Sequence, residues 1–209
     1  MEVAIGVVDY GMGNLHSVAK AVLAAGGRAQ RIDGPGGLER VRAIVLPGVG
    51  TFADAMAALT ARALVEPLRQ HLAADRPFLG ICLGLQLLFE SGDEGGVVTE
   101  GLGALRGTVA RLAAESLAVP HIGWNSVDLV RRADPLFAGI PDGAHFYYLH
   151  SFVARPEDRE VELATTSYPT PFCAAVGRGA AYATQFHPEK SQALGLRVLR
   201  NFIGLARSG

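Results

Sequence analysis

The chain has two cysteines, one tryptophan and no apolar run long enough to cross a bilayer. Cys82 and Cys173 are too few and too far apart in sequence for a disulfide framework, so a reducing, cytoplasmic setting is expected. Neither charge is in excess: 19 Lys and Arg against 20 Asp and Glu leave a net −1. The lack of a basic block argues against nucleic acid as a partner, and the lack of an acidic tail against a solvated arm. The opening residues MEVAIGVVDYG lack the basic flank and small-residue cleavage site of a secretory signal. No internal repeat, low-complexity tract or linker interrupts the chain. What is present is a 209-residue chain, 49% hydrophobic, enough for one sizeable core and short for two. A single domain over 1–209 is expected, with no membrane partner.

Residues 3–8 are dense in Val and Ile and end at Asp9-Tyr10-Gly11, which predicts a strand buried on both faces. Residues 14–25 carry apolar side chains at helical spacing and stop at Gly26-Gly27. Short strands are predicted over 29–32, 43–46 and 77–81. Between the last two, Thr51 and Asp54 resemble a capping box opening a long helix that Pro67 breaks or kinks. A further helix is predicted over 83–89. After Gly95 the texture changes, with strands predicted over 107–112, 126–130, 146–152, 161–165 and 180–187 and a closing helix over 194–205. The alternation predicts an α/β fold: a mostly parallel open sheet with helices on both faces, extended by antiparallel strands in the second half.

The stretch Gly80-Ile81-Cys82-Leu83-Gly84 has the form G-x-C-x-G where a strand gives way to a helix. This is a nucleophile elbow with Cys in place of Ser. A strand that turns sharply into a helix holds its middle residue in a strained conformation, so the residues two before and two after must be small. The helix N-terminus then favours a thiolate. The competing reading is a small buried core cysteine. Cys173, after Pro171-Phe172 in a strand-like stretch, has no such frame and reads as core.

A nucleophilic cysteine needs a base, and the chain has six histidines. His71 falls on a polar stretch of helix and is expected to be solvated. His16 faces a surface or a partner. His121, His145 and His150 lie near strands or loops with no carboxylate at a telling spacing. His145 and His150 are too few for a metal site, which needs three or four ligands. His187 differs: it ends the strand-like run before Pro188, and Glu189, two residues on, can orient it. Alone, His-Pro-Glu reads equally well as a polar turn; beside an elbow cysteine it reads as base and orienter.

An acyl intermediate also needs donors for its oxyanion. The Leu83 N–H is one. Pro47-Gly48-Val49-Gly50, following a buried strand, is the natural source of a second. Neither this loop nor Gly11-Met12-Gly13-Asn14-Leu15-His16 fits G-x-G-x-x-G, so a dinucleotide site is set aside.

Together, Pro47–Gly50, Gly80–Gln86 and Gln185-Phe186-His187-Pro188-Glu189-Lys190-Ser191 resemble the signatures of the class I, triad-type glutamine amidotransferases. Asp9–Leu15, His121-Ile122-Gly123-Trp124-Asn125 and Tyr147-Tyr148-Leu149-His150-Ser151-Phe152 are similar to the glutaminase subunits of imidazole glycerol phosphate synthases, and the resemblance runs over essentially the whole chain. It implies a Cys82–His187–Glu189 triad that hydrolyses glutamine. It also implies an oxyanion hole at Leu83 and the Gly48–Val49 peptide, and glutamine-binding positions at Gly50, Gln86, Ser151 and Phe152. No cofactor and no metal are implied. The implied partner is a (β/α)8-barrel cyclase subunit, forming a heterodimer that receives ammonia for histidine biosynthesis. Asn14, Trp124, Tyr147 and Lys190 are the expected docking residues, with core or solvated roles as the alternatives. Glycine at 48 is expected to let the Gly48–Val49 peptide rotate as a partner-controlled gate. The rival readings are the glutaminase of another amidotransferase, a stand-alone γ-glutamyl cysteine hydrolase and a non-catalytic binding module.

Overall fold

The structure, a computed structural model, describes residues 3–113 and 117–208. In chain order it forms β1 (Ala4–Val8), α1 (Leu15–Ala24), β2 (Arg28–Ile32), α2 (Pro35–Leu38), β3 (Ala43–Gly48), α3 (Phe52–Ala61), α4 (Val65–Ala73), β4 (Phe78–Cys82) and α5 (Leu83–Gln86). Then follow β5 (Phe89–Glu94), β6 (Val97–Glu100), β7 (Leu105–Arg111), β8 (His121–Ser126), β9 (Asp128–Leu129), β10 (His145–His150), β11 (Phe152–Pro156), β12 (Glu162–Ser167), β13 (Pro171–Arg178), β14 (Ala181–Thr184) and α6 (Gln192–Ser208).

The main sheet has the order β2-β1-β3-β4-β14-β13-β12-β9. Its first five strands are mutually parallel, and β13, β12 and β9 extend it antiparallel. Residues two apart on a strand share a face, so β3 sends Ala43 and Val45 to one core and Ile44 and Leu46 to the other. The first core takes Val18 and Val22 of α1 with Val198 and Phe202 of α6. The second takes Phe52 and Leu59 of α3 with Leu68 of α4. Strands covered on both faces must be apolar throughout, which is why β4 reads FLGIC. Outside this sheet stand a two-stranded ribbon, β8 with β10, and a four-stranded sheet of order β11-β7-β5-β6.

Several sequence expectations need correction. The long helix after Thr51 does divide, but not at Pro67. Its first half ends where Ala63 takes φ 53°, and the Leu64 N–H returns to the Leu59 carbonyl at 2.9 Å. Pro67 lies in the first turn of α4, where no helical hydrogen bond is lost. The helix expected over 83–89 is a single turn, after which Phe89 opens β5. That stretch is buried on every side, so its apolar residues carry no period. His71 is not solvated. It is 3% exposed and its Nε2 lies 3.0 Å from the Pro77 carbonyl, tying α4 to the start of β4. The run over 146–152 is two strands with different partners, broken at Ser151.

Candidate active site

Strands β3, β4 and β14 are adjacent and parallel, so their carboxyl ends share one edge of the sheet. Gly48 ends β3, Cys82 ends β4, and His187 follows the end of β14. Crevices beyond the carboxyl ends of parallel strands are where open α/β sheets place their chemistry.

The elbow has the strain its sequence predicts. Cys82 holds φ 55° and ψ −106°, a region that side chains rarely adopt. A Cβ on Gly80 would lie 2.5 Å from the Gly84 carbonyl oxygen, and one on Gly84 would lie 1.9 Å from that of Leu46. Both flanking positions therefore exclude any side chain. The helix behind the elbow is only four residues long, so the expected macrodipole shrinks to the free N–H groups of one turn.

The Cys82 sulfur lies 3.6 Å from the Leu149 carbonyl, to which its thiol donates, and 3.6 Å from Gln185 Nε2, which donates to it. His187 Nδ1 is 2.8 Å from Glu189 Oε1, with both side chains 2% exposed. Among the described residues His187 Nε2 meets no hydrogen-bond geometry, though the Cys82 sulfur is near enough to act on the ring. Burial alone would push the His187 imidazole down, but the Cys82 sulfur and the Glu189 carboxylate outweigh it and raise its pKa to about 9.

A cavity of about 350 Å³ opens over Cys82, lined among others by Val49, Gly50, Gln86, Ser151 and Phe152. The Gln86 side-chain amide donates to the Phe152 carbonyl at 2.9 Å and to Gln185 Oε1 at 3.1 Å. Both its hydrogens are spent on the protein, which leaves its oxygen to receive a donor. Gly48 pairs with Cys82 across the sheet, and its φ lies outside the left-handed region. Space, not dihedral freedom, requires glycine there: a Cβ would lie 2.3 Å from the Tyr10 hydroxyl and 2.9 Å from Leu83 Cβ. Among the described residues, no three His, Cys, Asp or Glu side chains group as a metal site. His145 is exposed and His150 buried, so they do not converge.

Three of the docking candidates, Trp124, Tyr147 and Lys190, lie together beside the His187 turn. Trp124 is 47% exposed and packs edge-on to Tyr147 at 6.1 Å, and Lys190 Nζ lies 5.8 Å from the centre of the Tyr147 ring. Exposed Asn14 caps α1, accepting from the Ser17 N–H at 3.2 Å. Sequence reasoning gave no role to Gln185 or to the pair His121 and His150, all of which are buried near the cavity. Gln185 stood inside a quoted motif. The histidine pair is set by cross-strand register, which leaves no spacing signal along the chain.

The glutamine amidotransferase class-I family matches residues 7–205. Imidazole glycerol phosphate synthase subunit HisH of Syntrophotalea carbinolica is 48% identical over 202 residues, 94% of this chain and 97% of that one. The HisH subunit of Rhodopirellula baltica is 49% identical over 200 residues, 95% and 96% of the two chains. Among solved structures, a glutamine amidotransferase superposes with TM-score 0.76 at 20% identity, over 97% of this chain and 98% of that one. PurLQS from Thermotoga maritima superposes at 0.75 with 16% identity, over 100% and 99%, a likeness of fold alone. The match over nearly the whole length, joined to an elbow cysteine and a buried His–Glu pair on one sheet edge, means that the chain belongs to the class-I glutamine amidotransferase family.

Proposed function

We propose that the chain is the glutaminase subunit of an imidazole glycerol phosphate synthase. In this reading it hydrolyses glutamine and passes the ammonia to a (β/α)8-barrel cyclase partner in a cytoplasmic heterodimer serving histidine biosynthesis. The observation that carries the chemistry is that the buried His187–Glu189 pair lies close enough to Cys82, which lines the cavity, for the Cys82 sulfur to act on the imidazole.

The Cys82 sulfur attacks the side-chain amide carbon of glutamine, and His187 takes the thiol proton. The N–H groups of Leu83 and Val49 stabilise the oxyanion, with Gly48 keeping the approach clear. Collapse breaks the carbon–nitrogen bond, His187 protonates the departing nitrogen, and ammonia leaves a γ-glutamyl thioester on Cys82. Water, deprotonated by His187, then releases glutamate and restores the thiol. Glu189 holds the imidazole in orientation and favours its cationic form. Gly50, Gln86, Ser151 and Phe152 bind the amino-acid end of glutamine. Ammonia is mostly protonated in water and then a poor nucleophile, so a closed route to the partner conserves it. Asn14, Trp124, Tyr147 and Lys190 dock that partner, and the Gly48–Val49 peptide gates the oxyanion hole.

The test is glutamate release by the purified chain alone, with the cyclase subunit, and with cyclase plus its ribulosyl nucleotide. Near silence alone and strong turnover in the full mixture, abolished in Cys82→Ala, is the expected result. Brisk turnover alone, unchanged by the cyclase, would instead mean a stand-alone hydrolase.

A further inference from the structure

His121 and His150 stand directly opposite each other in the β8–β10 ribbon, on its buried face. His150 Nδ1 lies 3.0 Å from the Phe152 carbonyl oxygen. A carbonyl only accepts, so Nδ1 carries a proton and Nε2 of the neutral ring does not. That bare Nε2 lies 3.1 Å from His121 Nδ1, which must therefore donate. His121 Nε2 is then bare in turn and faces the Asn125 amide nitrogen at 3.4 Å. The same nitrogen donates to the Ser167 carbonyl at 3.0 Å. Every donor in this row meets an acceptor only if both rings are neutral Nδ1–H tautomers. Burial supports neutrality, holding the His121 pKa down at about 4 and that of His150 at about 3.

The row ends at the cavity. The Phe152 carbonyl receives two donors, His150 Nδ1–H and the Gln86 amide. Gln86 in turn donates to Gln185, whose own amide donates to the Cys82 sulfur. Gln86 has no freedom to turn while the Phe152 carbonyl stays where His150 holds it.

We propose that His150, backed by His121, is a positioning residue for glutamine: it fixes the Phe152 carbonyl and through it the orientation of the Gln86 amide. The role rests on Gln86 and Phe152 binding glutamine, as in the proposed function. The hydrogen bonds of His150 go to Phe152 and His121, and it acts on His187 only through space, so its main contribution falls on substrate binding.

Two substitutions split the ring's two nitrogens. His150→Asn retains a donor near the Nδ1 position; His150→Gln retains a polar group near Nε2 but no donor to Phe152. Glutamate release is measured in the complex with cyclase and nucleotide, after thermal melts show both variants folded. The expected result is a KM for glutamine raised about tenfold or more in His150→Gln with kcat within about threefold, and His150→Asn close to wild type in both. Equal KM values for the two folded variants would overturn the proposal. The nitrogen-15 spectrum of the wild-type complex tests the assignment without any variant: Nδ1–H on both rings is expected, and Nε2–H on His150 would overturn it even if neither variant folds. A wild-type complex that released no glutamate would instead count against the proposed function, leaving the tautomer result to judge the network by itself.

Discussion

The Tyr147 backbone grips the turn that carries His187. The His187 N–H donates to the Tyr147 carbonyl at 2.9 Å, and the Tyr147 N–H donates to Ser191 Oγ at 3.0 Å. Ser191 Oγ closes the loop by donating to the His187 carbonyl at 2.6 Å. One residue thus offers its main chain to the His187 turn and its ring to Trp124 and Lys190. Tyr147→Ala should leave the backbone grip in place while removing the platform under Trp124 and Lys190. The expected effect is cyclase affinity weakened about tenfold, with little change in alkylation of Cys82 in the free chain. Trp124 is the only tryptophan, so its fluorescence reports the titration directly.

Glu189→Gln tests the base. Of the groups that raise the His187 pKa to about 9 against burial, this substitution removes the Glu189 carboxylate and leaves the Cys82 sulfur in place. The imidazole pKa should fall, and kcat should drop by about 10²–10⁴-fold with KM changed far less. Histidine titration by NMR checks the direction of the shift. For the wild type, a raised folded-state pKa means that His187 contributes stability fully present below about 6.5 and lost as pH rises through about 9.

His71, His121 and His150 shift the opposite way. Burial lowers their pKa values to about 4, about 4 and about 3. Between those values and 6.5 the unfolded chain binds protons that the folded chain refuses, so stability falls as pH drops through that window. Urea midpoints at pH 7 and pH 5 should show the loss. His71→Gln retains a donor for the Pro77 carbonyl and should reduce the loss, because one of the three groups no longer titrates.

Tyr10 and Gly48 form a coupled pair of another sort. The Tyr10 hydroxyl is buried with no hydrogen-bond partner among the described residues, directly where a Gly48 side chain would sit. Tyr10→Phe should leave stability unchanged or raise it by about 1 kcal/mol, since it removes a buried unsatisfied group. Gly48→Ala should cost about 1–3 kcal/mol through overpacking, and part of that cost should vanish in the double variant. Thermal melts of the four proteins decide it.

The parallel half of the fold was legible because buried strands and amphipathic helices alternate with clear periods. The capping box of Thr51 and Asp54 also forms: the Asp54 N–H donates to Thr51 Oγ1 at 3.1 Å. Cys82, Gly80 and Gly84 were legible because a strained elbow leaves a local steric signature. The second half was harder. Strands β5, β6 and β8 carry Glu, Gly, Asp, His and Asn, which blur an alternating pattern. The burial of His71 was hidden because its single carbonyl partner lies across a turn. The His121–His150 contact depends on strand register, a property of two segments jointly that neither shows separately.

The β8–β10 ribbon belongs to neither larger sheet, and a pair of strands has little rigidity of its own. Its inner face packs into the first core through Phe146 and Tyr148 and is tied to β12 at Thr166, while its outer side is bare, where Ile122 and Trp124 are exposed. The Leu149 carbonyl that receives the Cys82 thiol and the Tyr147 carbonyl that receives the His187 N–H both hang from β10. A tilt of that single strand under an outside load therefore moves the supports of sulfur and imidazole as one body, and no separate linkage between the two is needed.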